Sequence, residues 1–272
     1  MSGGNPQATT ARAGEGWPEP VRRRLADYYA RYYRDTLGIP SWRELVAARL
    51  EEEAYEAGHL ARLEAILGRT VAGLRLLNLG CGTGGFTVTA RRAGARAVGV
   101  DPEPEAVAIC RLKGDHGGGS AVTGAAEALP FRDGAFDLVY CFSTLEHVAD
   151  VAGAVREMVR VVRTGGAVYV HGPNALACYE GHYKLFWLPR MPKALARAYL
   201  RLRGRPTGFV DTLNPLLRSR LERLLLEAGA TPAPVAAGEG LPRESGSPLW
   251  PLVRAYYRLF GVSPHIEILA RK

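Results

Sequence analysis

Short apolar runs and helical stripes take turns along most of this chain. Leu74–Leu79 is apolar and stops in a cluster of glycines, Gly80-Cys81-Gly82-Thr83-Gly84-Gly85, after which Phe86–Ala90 resumes as a helix. That order predicts strand, tight turn, helix. The alternation then continues with strand Arg96–Asp101, helix Glu103–Lys113, a loop at Gly117-Gly118-Gly119 and strand Ser120–Thr123. Arg132-Asp133-Gly134 reads as a turn, and Phe136–Phe142 is a strand with the low polarity expected when helices cover both faces. Ser143 opens a turn or helix. Helix Val151–Val162 points Val155, Met158, Val159 and Val162 inward, Gly165-Gly166 turns, and Ala167–His171 is the next strand. Five strands alternating with helices predict a doubly wound α/β sheet.

Upstream, Trp17–Asp35 is helical, with Leu25, Tyr28, Tyr29, Tyr32 and Tyr33 on one face, and Pro40 breaks it. Ser41-Trp42-Arg43-Glu44 fits a capping box, opening a second helix, in one or two pieces, that runs to Leu67. These helices read either as a lid lending tyrosines to a pocket or as a packing layer. Downstream, 174–211 interrupts the alternation with aromatics and bases. Asn214-Pro215 opens a helix striped by Leu217, Leu221, Leu224 and Leu225 and ended by Gly229. A strand at Ala233–Ala237, a loop to Pro251, a helix Leu252–Phe260 and a last strand His265–Ala270 follow.

The length of 272 residues, 47% apolar and 23% charged, suits one large domain with appendages. No run of about 18 uncharged apolar residues predicts a membrane span. Residues 1–16 lack the apolar core of a signal peptide and are expected to be disordered. Cys81, Cys110, Cys141 and Cys178 have no metal-type spacing and read as reduced thiols of a cytoplasmic protein. The net charge of +8 is uneven: residues 184–272 carry 15 Lys/Arg against 6 Asp/Glu, while the rest is nearly balanced. Seven of those bases lie in 184–205, among Phe186, Trp187 and a Leu195, Ala198, Tyr199, Leu202 stripe. Such a segment could lie on an anionic membrane surface, making the protein membrane-associated, or cap a substrate pocket. Nucleic acid has only the charge in its favour, with no recognised binding module.

Glycine at 80, 82 and 84 permits φ > 0 and leaves main-chain amides bare at a helix N-terminus. Asp101, sixteen residues past Gly85, is placed to accept bonds from the hydroxyls of a ribose. Together they predict a nucleoside-containing cofactor at the carboxyl edge of the sheet.

Asn78-Leu79-Gly80-Cys81-Gly82-Thr83-Gly84 resembles the glycine motif of class I S-adenosylmethionine-dependent methyltransferases. Asp101, Gly124–Phe131, Phe136–Cys141, Leu145-Glu146-His147-Val148 and Arg163–Gly166 continue the resemblance in order and spacing. Residues 74–173 are similar to the group typified by ubiquinone and menaquinone biosynthesis methyltransferases. The resemblance implies a Rossmann-like, mostly parallel seven-stranded sheet with helices on both faces. It implies a helical lid at 17–70 and a methyltransferase domain at 71–272 carrying the basic, aromatic insertion at 174–211. S-adenosyl-L-methionine would be the cofactor. Asn78, Gly80, Cys81, Gly82, Gly84, Asp101, Pro102, Ala126, Glu127 and Ser143 would surround it. Two departures weaken single contacts: the family usually has an acid at Asn78 and often Asp at Ala125.

Methyl transfer needs alignment of nucleophile and methyl, and a base only where the acceptor must lose a proton. His147, after the fourth strand, is the candidate catalytic residue, and the acceptor is expected to be a small or lipophilic molecule with an O, N or C nucleophile. Glu146 completes a second capping box with Ser143. His171, Tyr179, His182 and Tyr183 could orient an acceptor. Glu146, His147, His171 and His182 match no compact metal motif, so no metal is expected. Two other readings stay open. Gly80-x-Gly82-x-x-Gly85 also fits an NAD(P)-dependent oxidoreductase, and a non-catalytic S-adenosylmethionine-binding module needs the same turn.

Overall fold

A computed structural model describes residues 16–114, 120–235 and 250–272. The glycine loop at 117–119 and most of the stretches 1–16 and 238–251 lie outside the described residues. The chain begins with α1 (Glu19–Ala30), a π-helical turn (Arg31–Thr36), α2 (Trp42–Leu50) and α3 (Glu52–Leu67). The alternating half follows: β1 (Arg75–Leu79), α4 (Gly85–Arg92), β2 (Arg96–Asp101), α5 (Pro104–Gly114), β3 (Ala121–Thr123), β4 (Phe136–Phe142), α6 (Val151–Val161) and β5 (Val162–Pro173). A hairpin of β6 (Tyr179–Glu180) and β7 (Leu185–Phe186) leads to α7 (Lys193–Leu202) and α8 (Gly208–Thr212). The chain closes with α9 (Arg218–Glu227), β8 (Thr231–Ala233), α10 (Trp250–Phe260) and β9 (His265–Arg271).

Seven strands form one sheet in the order β3-β2-β1-β4-β5-β9-β8. The first five are mutually parallel, and β9 runs antiparallel between β5 and β8. The strand order reverses between β1 and β4, which opens a crevice at their carboxyl ends.

Because strand side chains alternate, one face of β1, β4 and β5 presents Leu77, Val139 and Val168 to Val155 and Met158 of α6 and Leu221 and Leu225 of α9. The other face presents Leu76, Tyr140 and Tyr169 to Leu60 and Leu63 of α3 and to Phe86 and Ala90 of α4. Phe86, Tyr140 and Tyr169 stack in succession, with centroids 3.7 and 5.2 Å apart. A third cluster joins parts far apart in sequence: Tyr33, Leu37 and Val46 pack with Tyr183, Leu185, Leu200 and Val210. The N-terminal helices and the insertion therefore share one core. Arg205 ties them further by donating to the Gly38 carbonyl oxygen.

Four local expectations are corrected. Ser41 does not cap α2 through its side chain, and the turn Leu145–His147 starts after Thr144 rather than Ser143, again with no side-chain cap, so both capping boxes are absent. Asp150 does cap α6, accepting from the Gly153 amide at 2.9 Å. Asn214 does not open α9, which starts at Arg218. Its amide Nδ2 instead donates to Val148 O at 2.7 Å and its main-chain N–H to Glu146 O, which pins the insertion's return to the turn after β4. Gly165-Gly166 does not separate helix from strand: β5 starts at Val162 and passes through Gly165 at φ +74°, with an irregular register opposite Phe136 and Leu138.

Candidate active site

The glycine turn is pinned from below. The amides of Gly80 and Cys81 both donate to Val100 O, at 2.8 and 3.0 Å. Asp101 holds the turn from the side, accepting from the Gly82 amide at 2.8 Å and the Glu103 amide at 2.9 Å. Burial raises the Asp101 pKa, and those two donors oppose the rise.

The three glycines of the motif do different work. A Cβ at Gly80 would collide with the Thr144 side chain, and one at Gly84 with Cys110, so both make room for neighbouring protein. A Cβ at Gly82 meets nothing within 4 Å, so its open side is where a ligand can approach the main chain. The Cys81 side chain is buried with Val107, Cys110 and Ala121, leaving only its main chain to face outward.

Helix α1 reaches this turn directly. The Tyr29 hydroxyl lies 2.9 Å from Thr83 Oγ1, and Tyr28 sits near Asp101, where burial, with that carboxylate beside it, pushes its phenol to about 12. Asn78 is buried and spends its Nδ2 on Thr87 Oγ1 of α4 at 3.0 Å. Pro102 and Ser143 are exposed at the ends of β2 and β4, and Ser143 has φ +48°. Ala126 is buried in the α6 layer, while half-buried Glu127 accepts from the Asp150 amide at 3.3 Å.

Beyond the turn Leu145–His147 lies a second site. Glu146 is buried, yet neither carboxylate oxygen has a hydrogen-bond partner. Burial pushes its pKa up to about 7. It lines a cavity of about 460 Å³ with Tyr179, Glu180, His182, Trp187 and Arg190. The sequence explained Glu146 as a cap; the fold makes it an unpaired acid in the wall of a pocket. The glycine turn does not line this cavity. The short turn Ser143–His147 stands between the two spaces, with the Thr144 hydroxyl donating to Leu79 O at 3.1 Å.

Glu146, His147 and His182 each place a donor atom within 4.8 Å of the others. Sequence spacing gave no sign of this trio, because His182 arrives on the β6–β7 turn. His147 and His182 meet edge to face with centroids 5.1 Å apart. Burial lowers the His147 pKa, with the His182 ring adding to the fall and Glu180 opposing it, to about 4; its open side faces solvent, which tempers the effect. His171 does not join them. It projects from the opposite face of β5, stacked on Phe142 at 4.1 Å.

A glycine turn at the switch point, an acid ending β2 and an antiparallel β9 define a Rossmann-like fold built to hold a nucleoside cofactor. The methyltransferase domain family matches residues 77–170. The ubiquinone biosynthesis O-methyltransferase of Methylocella silvestris is 36% identical over 148 residues, 48% of this chain and 57% of that protein. Its counterpart in Rhizobium etli is 36% identical over 169 residues, 54% of this chain and 67% of that protein. The chain thus spans little more than half the length of the first of these relatives. Magnesium protoporphyrin IX methyltransferase of Synechocystis PCC 6803, solved with bound SAH, shares the fold at a TM-score of 0.56 and 14% identity, covering 93% of this chain and 99% of that one. The chain belongs to the S-adenosylmethionine-dependent methyltransferases. That membership displaces the dinucleotide reading of the glycine turn. No helix among the described residues is long and apolar enough to cross a membrane.

Proposed function

We propose that this protein moves the methyl group of S-adenosylmethionine onto a hydroxyl of a small, lipophilic acceptor held in the cavity beside Glu146. The carrying observation is the pair of spaces flanking one turn. On one side the space beside Gly82 leaves the main chain of the turn open to approach, and on the other a largely non-polar cavity holds an unpaired acid and an oriented histidine. Two adjoining sites suit methyl transfer, an in-line displacement in which the cofactor carries the difficult chemistry and the protein aligns the partners. The relatives' shared name, O-methyltransferase, supports oxygen as the nucleophile.

In this reading Gly80, Cys81, Gly82 and Gly84 present main chain to the cofactor, and Asp101 takes the ribose hydroxyls. Asn78 and Ser143 face its amino-acid end, and Pro102, Ala126 and Glu127 its adenine side. His147 stands at the rim between cofactor and acceptor. The N-terminal helices and the insertion act as one lid, supported by their common core. Leu188, Leu195 and Leu202 are exposed among the bases of 184–205, which favours a peripheral contact with an anionic membrane from which a lipophilic acceptor could enter. The test is incubation with deuteromethyl S-adenosylmethionine and metabolite extract, read by mass. Labelled products carrying one transferred methyl on oxygen support the reading. Cofactor binding without any labelled product would leave a binding module instead.

A further inference from the structure

We infer that the Glu180–His182 pair on the β6–β7 hairpin is the proton-accepting unit of the acceptor site. The inference rests on the methyl-transfer reading above and specifies which group receives the acceptor's proton.

The hairpin fixes the pair. Tyr179 pairs with Phe186 and Glu180 with Leu185, so the turn between them carries His182 and Tyr183. Both oxygens of the buried Glu180 are engaged: Oε2 accepts from the Tyr183 amide at 2.6 Å, and Oε1 lies 2.7 Å from His182 Nδ1. A carboxylate so held accepts a hydrogen bond from Nδ1–H and leaves the lone pair on Nε2. His182 and the unpartnered Glu146 line the same cavity.

His147 is the competing base, and charge balance separates the two. A proton on His182 makes a neutral pair with Glu180. A proton on His147 sits beside another histidine, with no carboxylate hydrogen-bonded to it. The groups facing His182 are Glu180 and Lys184 from its own hairpin, Glu146 and His147 from the turn after β4, and the uncharged Phe209 of α8. Glu180 and Glu146 favour the protonated ring and Lys184 opposes it; despite burial, which lowers it, the His182 pKa is raised.

The hydroxyl proton passes to Nε2 while the acceptor oxygen attacks the methyl carbon. The carbon–sulfur bond breaks with its electron pair returning to sulfur, giving a methyl ether and S-adenosylhomocysteine. His182 then releases the proton to water. An amine with a free lone pair needs no such unit, so the pair fits a hydroxyl nucleophile, which does.

Two measurements decide it. In ¹⁵N-histidine spectra, with His182→Asn used for assignment, neutral His182 should carry its proton on Nδ1 and titrate above the ordinary value of about 6.5. Glu180→Gln should lower that titration. A proton on Nε2, or a titration unmoved by Glu180→Gln, overturns the proposal. This arm needs no acceptor, so it decides the question even if the probe below is inert.

With 4-nonylcatechol and S-adenosylmethionine, His182→Asn should lower kcat by about 10²- to 10⁴-fold, more than His147→Asn does, with S-adenosylhomocysteine affinity by calorimetry unchanged. Glu180→Gln should lose kcat and shift its acid limb to lower pH, and Glu180→Asp should recover part of the rate. A larger loss in His147→Asn overturns the assignment. So does activity abolished by EDTA and restored by zinc, which would give Glu146, His147 and His182 to a cation. No calorimetric heat with wild-type protein would instead defeat the methyl-transfer reading itself.

Discussion

The Lys113 ammonium, wholly buried, donates a 2.7 Å hydrogen bond to the Thr83 carbonyl oxygen in the glycine turn. Its other partner is the Glu52 carboxylate at the start of α3, also buried, and Trp17 lies against it with the ring centroid 5.3 Å away. Helix α5, the turn and the N-terminal helices therefore meet on one charge. With Tyr29 of α1 bonded to Thr83 Oγ1, a single residue of the turn is held from two directions, by α1 and by α5.

Lys113→Met should be costly, because it leaves the Glu52 carboxylate buried and alone. The expected loss is about 3–5 kcal/mol by urea denaturation. Lys113→Met with Glu52→Gln should recover much of it. Equal losses in the single and double variants would show that the pair is not coupled.

The glycines should separate on substitution. Gly82→Ala keeps the fold at a cost of about 1–2 kcal/mol for its left-handed backbone, and loses affinity for S-adenosylhomocysteine through the new methyl group. Gly80→Ala and Gly84→Ala collide with Thr144 and Cys110 and should lower Tm more. Thermal melting and calorimetry on the three variants read this directly; the reverse ranking of Tm would contradict it.

Asp101→Ala should both weaken cofactor affinity and loosen the turn, since the carboxylate clamps the Gly82 and Glu103 amides in the free protein. A carboxylate at the end of β2 was legible as a ribose acceptor; its clamping of the turn was not, because the partners are main-chain amides that leave no mark in composition. The parallel half of the sheet was legible for a related reason. Its strands are continuous apolar runs, and β2 and β4 have the bounds their sequence predicts. Motifs defined by side-chain caps failed where tertiary contacts claimed the residue: Asn214 bonds Val148 O rather than its own helix, and Glu146 turns into a cavity. The sequence offers Glu146, His147 and His182 beside His171 but no spacing that joins them, because a hairpin some 35 residues later in the chain completes the trio and no local spacing encodes a long-range turn.

Stability should fall on acidification through His171. Burial among Phe142, His265 and His59 holds its pKa down to about 3, and its Nδ1 has no partner. A depressed histidine contributes stability that is present above its unfolded value near 6.5 and is lost as pH falls towards 3. At pH 5 that loss is up to about 2 kcal/mol. His171→Phe should flatten this limb in denaturant titrations between pH 7 and 5, and an unchanged limb would place the effect elsewhere. Glu146 acts in the opposite window. Its carboxyl, raised to about 7, favours the fold below about 4.5 and loses that contribution as pH rises through 7.

The exposed leucines beside the bases make the membrane contact testable. Wild-type protein should sediment with phosphatidylglycerol vesicles, and Leu195→Glu with Leu202→Glu should abolish this while leaving Tm unchanged. Sedimentation undiminished in the double variant would assign these side chains no membrane role.

In the proposed reading the main chain at Gly82 receives an adenosyl cofactor. Calorimetric titration of the wild-type protein and of Gly82→Val with S-adenosylhomocysteine checks this. Saturable one-to-one binding in the wild type, lost in a folded Gly82→Val, is the predicted result. No heat in the wild type, or equal affinity in both proteins, would contradict it.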